Sequence, residues 1–308
     1  MKFDAVLLIA AGGPERPTEV VPFLQQLQAS RALREDQVAA IGEEYEAIGR
    51  RSPLNEWTRR QAAALAIELR HRGHALRISC GMRDWHPLIQ DSLESLHDSG
   101  RSTVLAVVLA PQDGGTGRQA CLDAIEAAQT ELGERAPKVV IAKPWEGRPG
   151  FSRALADRIR FATREVAETE LASAPLVFAV LDAPGDEASR EAHEARMRET
   201  AATVAKEVDR DTFEIAWHRH HASPDGASRE PDIASKLAEL GARGTRSAIL
   251  APLSFVTDDL AVLRDLGKQA RQQADTAGIR LFVADTVADH PHFISLLADL
   301  VTEEGDAE

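Results

Sequence analysis

The sequence is poor in cysteine, in aromatic residues and in long apolar runs. Cys80 and Cys121 are the only two cysteines among 308 residues, and alone they cannot hold a zinc ion or an iron–sulfur cluster. We therefore expect two reduced thiols, as in cytosolic proteins, and no iron–sulfur cluster. No stretch reaches the ~20 apolar residues of a membrane span, and Asp4 is badly placed for a signal peptide. The sequence predicts a cytoplasmic protein without membrane insertion.

Basic residues are also scarce. The chain has 36 lysines and arginines against 49 acidic residues, a net charge of −13. Nucleic acids and anionic membranes bind to basic faces, so neither is expected as a partner. Apolar residues make up 44% of the sequence, which is enough for a sizeable core in one large or two medium domains.

Short apolar runs alternate with long amphipathic stretches throughout the chain. Near-continuous apolar runs are typical of parallel strands that are buried on both faces. We predict strands at Val6–Ala10, Leu76–Cys80, Val104–Leu109, Val139–Ala142, Leu176–Leu181, Phe213–Trp217, Ser247–Ala251 and Ile279–Val283. Helices are predicted near 17–29, 36–48, 53–72, 87–98, 115–132, 150–170, 187–208, 231–242, 258–276 and 291–302. The alternation predicts an α/β protein with two similar Rossmann-like lobes, each a four-stranded parallel sheet flanked by helices.

The two halves also resemble each other in sequence. A glycine-ended helix feeds an apolar strand that stops at proline twice, from Gly100 to Pro111 and from Gly244 to Pro252. This favours duplication of one lobe. We predict lobes at 1–145 and 146–308, with a C-terminal helix that packs back on the first lobe. Ligands in such folds bind at the carboxyl ends of the strands, and a cleft between the lobes is expected.

Two local motifs suggest places where a ligand could approach the backbone. Gly12 and Gly13 follow the first strand, where they allow a close backbone approach, although a plain turn explains them equally well. Ser52 can cap a helix that starts at Pro53. Free N–H groups at that helix start could hold a carboxylate, and a capped structural helix is the alternative.

The block Tyr45-Glu46-Ala47-Ile48-Gly49…Ser52-Pro53-Leu54…Thr58…Gln61-Ala62, together with Gly12-Gly13-Pro14-Glu15, closely resembles the ferrochelatase family. The nearest branch is the one that uses coproporphyrin in Gram-positive bacteria. Further matches follow in order: Gly81 to Pro87, Pro111-Gln112, Trp217 with Glu230-Pro231-Asp232, Phe255 to Asp258, and Ala288 to Ile294. The resemblance implies a chelatase-like fold, a role in haem metabolism and haem or a porphyrin as the bound tetrapyrrole.

The resemblance also implies that two catalytic residues of the family are replaced in this chain. The family inserts Fe²⁺ into a porphyrin with a His after its fifth strand and a Glu after a Phe-Val-Ser-Asp segment. The matching positions here are Leu181 and Ala261, and Ala11 stands where many members have Tyr. Leucine and alanine can neither ligate a metal nor move a proton. The resemblance therefore implies a degenerate member, for which we assign no catalytic residue.

The resemblance implies a set of residues that contact the bound tetrapyrrole. We expect a tetrapyrrole to contact Ala11, Gly12, Gly13, Ser52, Arg83, Gln112, Leu181, Trp217, Asp258 and Ala261. His218 and His220 are candidate metal ligands, since imidazole binds metals and haem iron. The alternative is a solvated segment with surface histidines.

Three functions remain open at this point. The first is a tetrapyrrole-binding protein, a carrier, sensor or partner subunit of another protein of haem metabolism, without conventional iron insertion. The second is an active metallochelatase that uses His218 or His220 with an aspartate. The third is a structural paralogue that acts through protein contacts.

Overall fold

The computed structural model describes residues 2–110, 117–182, 186–218 and 231–306. The chain divides into two compact units. The first comprises Met1–Glu146 together with Ala288–Glu308, and the second comprises Gly147–Val287. Within the described ranges, no helix is both long and apolar enough to cross a membrane.

The first unit is built on a parallel sheet with the strand order β2–β1–β3–β4. Its strands are β1 (Ala5–Ala10), β2 (Arg77–Met82), β3 (Thr103–Val108) and β4 (Lys138–Ile141). Its helices include α1 (Val20–Arg31), α2 (Glu35–Ala47), α3 (Leu54–His71), α4 (Ile89–Asp98) and α5 (Arg118–Leu132). Short 3₁₀ helices lie at Pro17–Glu19 and Gly133–Arg135.

The central strand of this sheet is buried on both faces, which explains its unbroken apolar sequence. All six residues of β1 are buried. Leu7 and Ile9 pack with residues of α4 and α5, such as Leu93 and Ile125. Helix α3 contacts β1 and β2 and carries Leu65, which is fully buried. Covering helices on both faces are the usual setting of a parallel sheet.

The second unit repeats this plan with the strand order β6–β5–β7–β8. Its strands are β5 (Leu176–Leu181), β6 (Glu214–His218), β7 (Ser247–Pro252) and β8 (Arg280–Val283). Its helices include α6 (Pro149–Thr163), α7 (Glu168–Ser173), α8 (Glu187–Glu207), α9 (Ile233–Ala242), a π-helix (Val262–Gln269) and α10 (Ala270–Thr276). The predicted α/β class with two four-stranded parallel sheets is thus confirmed for the described residues.

Two predicted helices need correction. The helix predicted over 150–170 is interrupted, because α6 ends at Thr163 and α7 begins at Glu168. The helix predicted over 258–276 begins later and is a π-helix over Val262–Gln269. Helix α11 (Pro291–Asp306) lies in the first unit, where it packs against α3.

Matching details in the two units support the predicted duplication. Near the end of β2, the Met82 N–H donates to the carbonyl of Pro87 at 2.8 Å, and Trp217 on β6 does the same to Pro231 at 2.9 Å. The glycines that precede β3 and β7, Gly100 and Gly244, have φ angles of +78° and +81°.

Candidate functional site

The loop after β1 is packed so tightly that two of its residues have no room for a side chain. A Cβ atom on Gly12, whose φ is +81°, would lie 2.6 Å from the Met82 Cβ. A Cβ atom on Gly13 would lie 2.8 Å from the Ser52 Cβ. The carbonyl of Ala11 accepts a hydrogen bond from the Asp84 N–H at 2.8 Å. Glycine is therefore required at both positions by close packing within the first unit.

The block from Tyr45 to Ala62 holds this loop from the other side. The Ser52 N–H donates to the carbonyl of Pro14 at 2.6 Å, and the Gly13 N–H donates to Asn55 Oδ1 at 3.0 Å. Helix α3 begins at Leu54, one residue later than predicted. Ser52 Oγ still accepts from the Leu54 N–H at 3.3 Å, so the predicted serine contact to the helix start is present.

Arg83 is held by the neighbouring aspartate. Its Nε and Nη2 donate to the two carboxylate oxygens of Asp84 at 3.0 and 2.7 Å, and Arg31 Nη2 lies 2.5 Å from Asp84 Oδ2. Burial opposes ionisation of Asp84, but these guanidinium groups hold its pKa below the usual value. The predicted ligand contact of Arg83 therefore competes with a buried ion pair inside the first unit.

The second unit places Leu181 and Ala261 against one apolar cluster. Both side chains are partly buried and pack on residues that include Phe255 and Leu266. Leu181 ends β5, and Ala261 directly precedes the π-helix. An apolar wall of this kind fits the face of a flat macrocycle, because ligand sites are mostly apolar with a few polar anchors.

A histidine–aspartate pair lies next to this apolar wall. His218 on β6 is the register partner of Leu181 on β5, so the two side chains lie on the same face of the sheet. His218 Nε2 lies 3.2 Å from Asp265 Oδ2 in the π-helix, and both side chains are 8% exposed. Arg264 also donates to both carboxylate oxygens of Asp265. The imidazole is one strand away from Leu181, and the carboxylate is four residues after Ala261.

The opposite face of the same sheet carries a second buried histidine. His193 on α8 donates from Nε2 to the carbonyl oxygen of Leu181 at 2.9 Å. Its ring lies 6.2 Å from that of Trp217, whose register partner is Val180 rather than Leu181. Trp217 is buried and faces away from His218. The structure therefore does not group Trp217 with the apolar wall.

Two carboxyl groups precede the π-helix. Asp258 Oδ1 accepts from the Thr286 hydroxyl at 2.9 Å, and burial raises the Asp258 pKa above its usual value. Asp259 Oδ1 accepts from the Val262 N–H at 2.9 Å, as a helix cap does. Burial, with the charges of Asp258 and Asp265, raises the pKa of Asp259 to about 6.

The predicted residues thus fall into two groups, one in each unit. Ala11, Gly12, Gly13 and Ser52 lie together in the first, and Leu181, Ala261 and His218 lie together in the second. Gln112 and His220 lie outside the described residues. No group of three or more His, Cys, Asp or Glu side chains suited to a metal ion occurs in the described part of the chain.

Sequence reasoning missed three buried polar residues of these groups. Asn55, His193 and Asp265 are 0%, 2% and 7% exposed. Only Asp265 carried a usable signal, because it follows Ala261 by four residues, about one helical turn. The contacts of Asn55 and His193 depend on strand register and helix packing, which no local pattern reveals.

The fold defines a class of protein. The structure resembles SirB from Bacillus subtilis with a TM-score of 0.58 and 11% identity, covering 98% of this chain and 97% of that one. It also resembles CbiX, described as the terminal enzyme of sirohaem biosynthesis in denitrifying bacteria, with a TM-score of 0.56 and 17% identity over 99% of this chain and all of that one. The chain therefore has the chelatase fold.

The family follows from the sequence comparison. The ferrochelatase family model matches residues 3–305, and the chain belongs to the ferrochelatase family. The coproporphyrin III ferrochelatase of Mycolicibacterium smegmatis is 30% identical over 98% of this chain and 90% of its own length. The ferrochelatase of Rhodopirellula baltica is 28% identical over 98% of this chain and 86% of its own length.

Proposed function

We propose that this chain is a tetrapyrrole-binding member of the ferrochelatase family that lacks conventional iron insertion, a pseudoenzyme of haem metabolism. The observation that carries the proposal is the apolar wall formed by Leu181 and Ala261. These residues stand where the sequence resemblance implies the family's His and Glu. Neither side chain can accept a pyrrole proton or ligate a metal.

Features of each unit, taken separately, support the binding half of the proposal. In the first unit, α3 begins at Leu54 beside Ser52, and the positive end of a helix favours an anionic ring substituent. In the second unit, the apolar wall offers a surface for a flat ring. Binding and proton transfer depend on different residues, so binding does not require an acid or a base at positions 181 and 261.

An absorbance titration and an insertion assay test the proposal together. Purified protein is titrated with haem, coproporphyrin III and protoporphyrin IX, and then mixed anaerobically with Fe²⁺ and each free porphyrin. We expect saturable binding of at least one tetrapyrrole and no insertion above the protein-free rate. Robust insertion by the wild-type protein would contradict the proposal, and the absence of any binding would favour a structural paralogue that acts through protein contacts.

One observation favours a second candidate, an active metallochelatase with relocated residues. His218 and Asp265 form a buried imidazole–carboxylate pair on the same sheet face as Leu181. Such a pair is a common proton acceptor in enzymes, because the carboxylate stabilises the imidazolium that forms. The sequence predicted that this histidine would act with an aspartate, and in this second candidate function that aspartate is Asp265.

Substitution of the pair tests this second candidate. If wild-type protein inserts a metal, His218→Ala and Asp265→Asn should each lower the rate by roughly 100-fold or more. The exposed His71→Ala serves as the control and should leave the rate unchanged. Insertion that survives both site substitutions would exclude a catalytic role for the pair.

A further inference from the structure

Asn55, the second residue of α3, links two loops at the carboxyl end of the first sheet. We infer that Asn55 is a positioning residue for tetrapyrrole binding, because its side-chain amide fixes the glycine loop (residues 11–15) relative to the loop after β2. This inference rests on the proposed function. It adds a residue whose contacts are to backbone, and which the sequence motifs had not singled out.

The amide group of Asn55 is used at both ends. Oδ1 accepts from the Gly13 N–H at 3.0 Å, and Nδ2 donates to the carbonyl of His86 at 2.9 Å. The side chain is fully buried. An amide offers an acceptor and a donor on one planar group, whereas an ionised carboxylate offers only acceptors and would face the His86 carbonyl unfavourably. Few other side chains satisfy both loops at once.

The acidic end of the glycine loop is held by another residue of α3. The guanidinium of Arg59 pairs with the Glu15 carboxylate and is the main cause of the lowered pKa of Glu15. The backbone of the loop is held by Asn55 through the Gly13 N–H. Loss of the amide would therefore release the loop at its backbone while the ion pair remains.

Tight packing makes the loop position sensitive to this anchor. The loop lies with bare backbone against Met82 on one side and against Ser52 on the other. Asn55 holds the Gly13 N–H in this packed arrangement, so loss of that hydrogen bond would let the loop backbone shift. A ligand that contacts these peptide groups would bind less tightly once they move.

Gln61 provides a matched control in the same helix. It is also fully buried on α3, and its Nε2 donates to the backbone carbonyl of Ala288 at 2.8 Å. It anchors the segment before α11, whereas Asn55 anchors the glycine loop. If buried amides in α3 have only a structural role, substitution of either residue should change the Kd for the tetrapyrrole equally. If Asn55 positions the glycine loop, only its substitution should raise the Kd.

The test compares Asn55→Asp with Gln61→Glu in the full chain. Unfolding in urea is measured for both, and binding is measured by titration with coproporphyrin III, protoporphyrin IX and haem. Both substitutions should lower stability. Asn55→Asp keeps an acceptor for the Gly13 N–H but loses the donor to the His86 carbonyl, so the glycine loop is no longer held to the loop after β2. The loss of this one hydrogen bond should raise the Kd about tenfold. Gln61→Glu should leave the Kd within about twofold of wild type.

The outcomes separate the inference from the proposed function. An unchanged Kd in Asn55→Asp, or an equal rise in both variants, would overturn the positioning role while wild-type binding upholds the proposed function. Absence of wild-type binding to all three tetrapyrroles would overturn both. If Asn55→Asp fails to fold, the side-chain amide signals of wild-type Asn55 and Gln61 are compared by NMR with and without coproporphyrin III. An Asn55 signal that does not respond to the porphyrin would overturn the inference.

Discussion

Asp259 is a carboxyl group whose ionisation the folded state opposes. Its pKa is raised to about 6, first by burial and then by the charges of Asp258 and Asp265. An acid with a raised folded-state pKa costs no stability while it is protonated in both states. The cost appears as the pH rises from about 4 to 6 and persists above that range.

Asp259→Asn should therefore stabilise the protein at pH 7. The amide oxygen can still accept from the Val262 N–H, while the unfavourable charge is removed. We expect a gain in the free energy of unfolding on the order of 1–2 kcal/mol at pH 7, shrinking towards zero at pH 4. Urea unfolding at the two pH values measures it, with the exposed Asp275→Asn as the control. A gain of equal size at both pH values would contradict the electrostatic explanation.

Helix α11 is far along the chain from the rest of the first unit, but it contributes to the core of that unit. It packs on α3, and its Phe293 side chain is fully buried with its ring 5.2 Å from that of Trp145. Phe293→Ala should lower the free energy of unfolding by ~3–5 kcal/mol, because it leaves a cavity in the core. Phe161→Ala, at a side chain that is 56% exposed, should cost less than ~1 kcal/mol. Urea unfolding followed by tryptophan fluorescence measures the free energy of unfolding of both variants. If Phe293→Ala costs as little as Phe161→Ala, α11 adds little to the core.

At the scale of helices and strands, most of the fold follows from apolar periodicity, and the exceptions have physical causes. The central strands were predictable because they are short apolar runs buried on both faces, as in β1 and β5. The π-helix was not predictable, because its apolar spacing over Val262–Gln269 cannot be told from that of an α-helix.

The candidate site was only partly predictable from the sequence. The loop of Gly12 and Gly13 is local, but the pairing of His218 with Asp265 depends on which strand lies beside β5.

The two units have the same strand order but place different polar residues at the ends of β2 and β6. At the end of β2, Arg83 lies against Asp84 and interacts with Cys121 on α5. At the end of β6, His218 lies against Asp265 in the π-helix. Arg83 and His218 correspond in place, because each directly follows a residue of the edge strands β2 and β6 whose N–H donates to a proline carbonyl. The predicted duplication of one lobe would explain this repeated polar position, which carries a guanidinium in the first unit and an imidazole in the second.

The proposed lack of metal insertion can be tested by placing a His and a Glu at the two positions where the sequence resemblance implies them. Leu181 and Ala261 belong to the same unit and pack on the same apolar cluster, so both can be changed without altering the first unit. The double substitution Leu181→His with Ala261→Glu supplies a proton acceptor and a metal-guiding carboxylate. Anaerobic Fe²⁺ insertion, measured by the loss of coproporphyrin III fluorescence, should rise on the order of 100-fold above the wild-type rate.

Leu181→Asn with Ala261→Gln is the matched control for this experiment. It introduces polar side chains of similar size that cannot take a proton at neutral pH, and it should stay at the wild-type rate. Equal activity of the two double variants would show that polarity rather than acid–base chemistry limits insertion. A His/Glu variant that binds coproporphyrin III and still inserts no iron would mean that further residues of the chain have diverged with Leu181 and Ala261, because binding and the restored pair would then be insufficient together.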